Sequence, residues 1–176
     1  MSGQSIAERS LKYKELAQIF FYPEPEAEQA LAQDGLKISA HAYMESFDQA
    51  ISKKACSLYE GSYNTAERNT LFEELLRFYS FFGLHRTEEA ELPDHLGVEL
   101  EFMHYLSFLE YNALQRGEDI LGLQRAQKDF LERHVLITIG GVCANFKASD
   151  EAYKACVNRA HEFIRDDLNK IENAIL

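Results

Sequence analysis

Four side chains with metal-binding chemistry lie close together in the middle of the chain: His95, Glu99, Glu101 and His104. Glu101 and His104 form an ExxH step, and His95 and Glu99 are four residues apart, so each pair shares a helix face. Di-iron bundles use two ExxH steps with two further glutamates, and this sequence has no second ExxH. Two interpretations therefore stay open: a helical-bundle metalloenzyme built on these four residues, and polar groups on a helix surface.

Acidic residues crowd the segment from Glu88 to Glu101, which holds six carboxylates in fourteen residues and no lysine or arginine. Carboxylates bind guanidinium groups through paired hydrogen bonds, so this segment can dock an arginine-bearing peptide. The alternative is a solvated loop. Upstream, eleven residues contain five aromatic side chains: Phe72, Phe78, Tyr79, Phe81 and Phe82.

These aromatic residues cannot all share one helix face with Leu75, so some are expected to line a groove beside the acidic segment. Acidic groups beside aromatic rings are the pairing expected for a cationic, apolar peptide helix. Motifs of other chemistries are absent from the sequence: it has no GxxxxGK[ST] phosphate loop, no GxGxxG and no GxSxG. Because catalytic triads assemble from distant positions, these absences alone leave catalysis open.

Apolar residues recur every three or four positions, which predicts helices and no strand. About seven helices are expected. They run from Ser5 to Phe21 (stopped by Pro23 and Pro25), Glu26 to Gln33, Ser39 to Leu58, Asn64 or Thr65 to Phe82, His95 to Arg116 (closed by Gly117), Asp119 to Ile139 (ended by Gly140 and Gly141), and Ser149 to the C-terminus. The prediction is an all-α, single-domain bundle spanning residues 1–176.

The fifth predicted helix is apolar on most of its circumference, which is typical of a helix in the middle of a bundle. Asp94 stands where its N-cap is expected. The acidic segment that precedes this helix must then lie close to the edge of the core. A peptide bound by the segment would also meet apolar side chains.

Composition excludes several function classes. The net charge of −11 argues against nucleic-acid binding and against a surface for anionic lipid, because both need basic patches. Cys56, Cys143 and Cys156 form no CxxC pair, so neither a disulfide framework nor a zinc site is expected. The sequence shows neither a signal peptide nor a membrane span, and we expect a cytoplasmic protein.

Residues 91–103, ELPDHLGVELEFM, resemble the ExPDHxxxELxFM signature of the TorD/DmsD/NarJ redox-enzyme maturation chaperones, also called the nitrate reductase delta-subunit family. Looser similarity is found in NTLF at 69–72, LRFYSFFGL at 76–84 and QKDFLERHV at 127–135. The match covers about residues 60–140 in the family's order.

The resemblance implies an all-helical, non-enzymatic chaperone with no cofactor or metal of its own. Its partners would be the apo catalytic subunit of a molybdenum oxidoreductase and that subunit's twin-arginine leader, held until the molybdopterin cofactor is inserted. It places the client-binding site on Pro93, Asp94, His95, Glu99 and Phe102. The acidic and aromatic clusters add Glu91, Tyr79 and Phe82.

Two departures separate this chain from many relatives. The Gly- and Pro-rich loop after the YxxLF region is missing, since Phe72 runs directly into Glu73, and the chain has no tryptophan. Leader contacts that relatives make through those segments do not carry over. A compact variant is indicated, similar to the delta subunits of dimethylsulfide, ethylbenzene, selenate or chlorate enzymes.

Beside the chaperone and the metalloenzyme, a third hypothesis is a structural subunit that stays bound in the mature enzyme complex. The expected oligomeric state is a monomer, with a domain-swapped dimer as the alternative. Relatives exchange helices between protomers, and the stretch from Gly83 to Pro93 is a natural hinge for such an exchange.

Overall fold

The computed structural model describes residues 3–24 and 38–176, which form six α-helices and no β-strand. The predicted all-α fold is confirmed. Its helices are α1 (Gly3–Phe20), α2 (Ala40–Phe47), α3 (Arg68–Phe81), α4 (Leu96–Gln115), α5 (Leu121–Phe130, continued by a π-helix Leu131–Val135 and by Leu136–Asn145) and α6 (Glu151–Ile175). The predicted helix from Glu26 to Gln33 lies outside the described residues.

Helix α4 occupies the centre of the bundle, as its sequence predicts. It packs along α1 and also against α5, while α6 covers α5 and contacts α2. Leu96, Leu100, Met103 and Leu106 of α4 are completely buried. No helix within the described ranges combines the length and the apolarity needed to cross a membrane.

Helix boundaries follow the predictions at some ends and not at others. Ser39 caps α2 as expected, accepting a hydrogen bond from the amide of Ala42 at 3.2 Å. The predicted extension of α2 to Leu58 is wrong, because the helix ends at Phe47. There the Asp48 carboxylate accepts the amide of Ala50 at 2.8 Å, and such local side-chain bonds compete with the helix.

Two further N-caps are displaced from the predicted residues. Helix α3 follows Glu67 rather than Asn64 or Thr65. Asn64 instead accepts the amide of Ala66 at 2.9 Å. Helix α6 is capped by Asp150, one residue after the predicted Ser149, and the Asp150 carboxylate accepts the amide of Tyr153 at 2.8 Å.

The prediction that Gly140 and Gly141 end a helix is also wrong, since α5 continues through both to Asn145. A Cβ atom on Gly141 would overlap the ring of Tyr63. Gly141 therefore serves close packing between α5 and the 3-10 turn Glu60–Ser62, not helix termination. By contrast, Gly117 closes α4 as predicted, with φ of 70°.

Candidate functional site

The loop between α3 and α4 lies beside α4 and lines with it an open cavity of about 450 Å³, here called the loop cavity. Its walls come from three parts of the chain: the segment after α1, the end of α3 with its following loop, and α4. The lining residues are Phe21, Tyr79, Leu84, His85, Arg86, Ala90, Glu91, Pro93, Val98, Glu101, Phe102 and Tyr105.

Hydrogen bonds to backbone carbonyls fix the shape of this loop. The hydroxyl of Tyr79 donates to the carbonyl of Pro93 at 2.7 Å, and that of Tyr105 donates to Phe82 at 3.3 Å. The guanidinium of Arg86 donates to the carbonyls of Ala90 at 2.7 Å and Glu91 at 3.1 Å. The cavity therefore has walls that are held in place before any ligand arrives.

The loop cavity combines apolar walls with two carboxylates. Tyr79 and Phe102 meet edge to face with their ring centroids 4.8 Å apart. Glu91 and Glu101 bring negative charge, whereas the only lysine or arginine in the lining, Arg86, is engaged by the loop's own carbonyls. A cation attached to an apolar segment suits such a site, since carboxylates pair with it and aromatic faces attract it.

The predicted site residues divide between this cavity and its surroundings. Glu91, Pro93, Tyr79 and Phe102 line the loop cavity. His95 lines a neighbouring cavity together with Tyr59 and Glu91. Phe82 lines a third cavity, between α3 and α5, while Asp94 and Glu99 are buried and line none of the three.

The prediction that Asp94 caps α4 is wrong, and the cap is His95. The Nδ1 atom of His95 accepts the amide of Gly97 at 3.1 Å. Its ring stacks on Phe21 at 5.4 Å and meets Tyr59 edge to face at 5.1 Å. Burial lowers the pKa of His95 to about 4, so the imidazole is neutral at physiological pH.

Asp94 instead ties the signature segment to the turn around Glu60. Its Oδ2 atom accepts the amide of Gly61 at 3.1 Å, and its carbonyl accepts the amide of Glu60 at 2.8 Å. The next residues continue the contact, because the amide of Leu96 donates to the carbonyl of Leu58 at 2.8 Å. Residues 94–96 are thus fastened to residues 58–61.

A buried polar cluster that sequence reasoning missed lies behind this contact. It consists of Glu60, Glu99, His134 and Thr138, here called the buried carboxylate cluster. Oε2 of Glu60 lies 3.0 Å from Nδ1 of His134, and the hydroxyl of Thr138 donates to Oε1 of Glu99 at 3.0 Å. Burial, reinforced by the nearby Glu60, raises the pKa of Glu99 well above its usual value.

A signal for part of this cluster is present in the sequence. Glu99 lies on the same apolar stripe of α4 as Leu96 and Met103, and a carboxylate there requires partners from another element. His134 belongs to the matched stretch 127–135, and the π-helix that carries it is a feature often found at functional sites. Glu60 has no comparable signal, because only the fold brings it near.

The four residues of the metal hypothesis do not converge. His95 caps α4 with its Nδ1 atom, Glu99 faces Thr138, and Glu101 lines the loop cavity. His104 contacts Ser10 of α1, with Nδ1 and the serine hydroxyl 2.9 Å apart. Among residues 3–24 and 38–176, no group of three or more His, Cys, Asp or Glu side chains is placed to hold a metal ion.

Comparisons with known proteins point the same way as the motif. The family model described as nitrate reductase delta subunit matches residues 11–144. The chlorate reductase assembly chaperone protein of Ideonella dechloratans and the selenate reductase assembly chaperone protein of Thauera selenatis are each 36% identical over 151 residues, which is 80% of this chain and 78% of theirs. The perchlorate reductase assembly chaperone protein of Dechloromonas aromatica is 33% identical over 133 residues, 73% of this chain and 59% of that protein.

Proposed function

This chain belongs to the nitrate reductase delta subunit family and is an assembly chaperone rather than an enzyme, and we propose that its client is the apo catalytic subunit of a molybdenum oxidoreductase. Two of its relatives are named as assembly chaperones of chlorate reductase and selenate reductase, and these names support a client of this class. A chaperone of this kind works by differential binding: it binds the incomplete subunit and releases the complete one. It should therefore be absent from the purified mature enzyme, which a structural subunit would not be.

The twin-arginine leader of the client is the ligand that we assign to the loop cavity. One observation carries this proposal: Glu91 and Glu101 stand in a cavity whose other walls are largely apolar and aromatic. A leader offers two guanidinium groups followed by apolar residues. The guanidinium groups can pair with the two carboxylates, and the apolar residues can contact the apolar and aromatic walls. We propose that binding takes place in the cytoplasm, before export, and to a monomer of the chaperone.

The experiment titrates a synthetic leader with two adjacent arginines, and then the same peptide with two lysines, into the protein. The Glu101→Gln variant should weaken binding of the arginine peptide by about tenfold, as expected for one charge-assisted hydrogen-bonding partner. The matched control is Glu88→Gln, which removes one exposed carboxylate from the loop between α3 and α4 that does not line the cavity. The leader assignment fails if both peptides leave the well-folded protein unbound, or if the two variants bind equally well.

A further inference from the structure

A second cavity, of about 490 Å³, lies between α3 and α5 and shares no lining residue with the loop cavity. It is here called the arginine groove. Three arginines and three phenylalanines give it its character: Arg77, Arg125, Arg133, Phe78, Phe81 and Phe82. No residue of the signature at 91–103 lines this groove, and the leader proposal places no ligand in it. The looser family stretches at 76–84 and 127–135 do supply six of its lining residues, including Phe82, which the sequence analysis placed in the client-binding site.

The two carboxylates that line the groove both form ion pairs with one arginine. Arg133 forms ion pairs with Glu74 and, at 3.2 Å, with Asp129, and it lies over the ring of Phe78. Arg77 and Arg125 are exposed, and no carboxylate in the described part of the chain forms an ion pair with either. On a chain with a net charge of −11, this leaves two guanidinium groups open at an apolar groove.

Phe81 adds an unusual apolar contact surface, since 83% of its side chain is exposed. Its ring meets Phe82 edge to face with the centroids 5.0 Å apart. Phenylalanine and arginine are both enriched at protein interfaces relative to the rest of the surface. The groove therefore offers both an anchor for an apolar side chain and charges for carboxylates.

We propose that the arginine groove docks an acidic segment of the client's catalytic subunit, in which carboxylates flank an apolar or aromatic side chain. Charge complementarity carries this assignment, because guanidinium groups bind carboxylates in paired, planar geometry. The twin-arginine leader is excluded as the occupant by its positive charge. The client's identity rests on the proposed function, whereas the chemistry of the groove does not.

Two other occupants fit less well. The acidic loop of a second copy is also complementary to the groove, but repulsion between two chains that each carry a net charge of −11 opposes this contact. Nucleic acid would bring phosphates to Arg77 and Arg125, yet it would also meet the strong negative charge of the whole chain. A short acidic protein segment contacts only the groove itself.

The experiment uses a fluorescent synthetic peptide with one phenylalanine between pairs of glutamates, and measures polarisation on titration with the full chain. The double variant Arg77→Gln/Arg125→Gln should bind this peptide at least about tenfold more weakly. Its matched control is Arg159→Gln/Arg165→Gln, which removes the same charge from exposed positions on α6 and should bind like the original. Phe81→Ser, and a peptide with serine in place of phenylalanine, should each weaken binding as well.

Each result decides for or against the groove. Equal binding by the two double variants, or no binding to the original protein, would overturn the proposal. So would tighter binding of single-stranded DNA than of the acidic peptide, or a mass in light scattering that falls only in the groove variant. The leader titration is independent: loss of leader binding with the acidic peptide still bound removes the leader proposal and leaves the groove standing.

Discussion

The loop cavity and the buried carboxylate cluster lie on opposite sides of α4, and one short stretch of sequence contributes a carboxylate to each. Glu99 points into the protein towards Thr138, and Glu101, two residues later, lines the loop cavity. Two residues correspond to roughly 200° around a helix, so the two carboxylates face nearly opposite directions. One motif thus places one acid where a ligand can reach it and another where none can.

The signature therefore has two physical roles. Glu91, Pro93 and Phe102 form a surface, whereas Asp94, His95 and Glu99 hold that surface in place through residues 58–61 and Thr138. Burial raises the pKa of both Glu99 and Glu101, but Glu99 is fully enclosed and also feels Glu60. Mutations in the two groups should therefore separate into losses of stability and losses of binding.

The largest effect is expected for His134→Ala. Removing the imidazole leaves the buried Oε2 atom of Glu60 without its partner, and breaking a buried pair in this way costs about 3–5 kcal/mol. Urea unfolding at neutral pH measures the change. His41→Ala on α2, where the side chain is exposed, is the control and should change the free energy of unfolding by less than about 0.5 kcal/mol. Similar losses in both variants would contradict a supporting role for the cluster.

A slightly smaller loss of stability is expected when the pH falls far enough to protonate His95. Its folded pKa of about 4 lies below the usual 6.5, so between these values the unfolded chain binds the proton and the folded chain does not. Stability is therefore present above pH 6.5 and is lost as the pH falls towards 4, by about 3 kcal/mol.

The variant His95→Asn tests this assignment. Asparagine still caps a helix, although it loses the ring contacts with Phe21 and Tyr59, so the variant should be less stable at pH 7 but should lose less on acidification. Unfolding free energies at several pH values between 4 and 7 provide the comparison. Parallel curves for the variant and the original would show that His95 does not control the acid response.

Glu99 should change the free energy of unfolding with pH in the opposite direction to His95, and over a different pH range. Its folded pKa is raised, so above the unfolded pKa the folded chain retains a proton that the unfolded chain has lost. The contribution of this group to stability then falls as the pH rises, by at most about 1.4 kcal/mol per pH unit. Glu99→Gln removes this dependence, so its stability should decline less between pH 5 and 8 than that of the original protein. A steeper decline would contradict the assignment.

Much of the fold could be predicted because it depends on local patterns. Apolar spacing predicts the helices, and the apolar circumference of residues 96–115 predicts the central one. The end of α2 and the passage of α5 through Gly141 could not be predicted, because they depend on Asp48 bonding its own loop and on Tyr63 packing from a distant turn. The first error comes from a local side-chain bond that apolar spacing does not report, and the second from a contact outside the local window.

The site divides in the same manner. The adjacency of acidic and aromatic clusters predicts Glu91 and Tyr79 at one site, and the family resemblance adds Pro93 and Phe102. These four residues line the loop cavity. The contributions of Phe21 and of Glu60 are long-range, and no spacing within the signature reveals them. Asp94 shows the limit most clearly, because its sequence position indicates a helix cap while the fold gives its carboxylate a different amide.

The smallest effect is expected for Asp94→Asn, and it tests where the boundary between the two roles lies. The residue is only 3% exposed, and its Oδ2 atom accepts the amide of Gly61, a bond that an asparagine oxygen can also make. Burial raises the pKa of Asp94, so losing its charge should alter the free energy of unfolding by less than about 1 kcal/mol. If Asp94 holds the loop and does not touch the leader, affinity for the arginine peptide should stay within about twofold, in contrast to Glu101→Gln. Stability and leader affinity are measured on the same preparation of each variant. A clear loss of affinity at unchanged stability would instead place Asp94 among the leader-binding residues, as the sequence motif indicates.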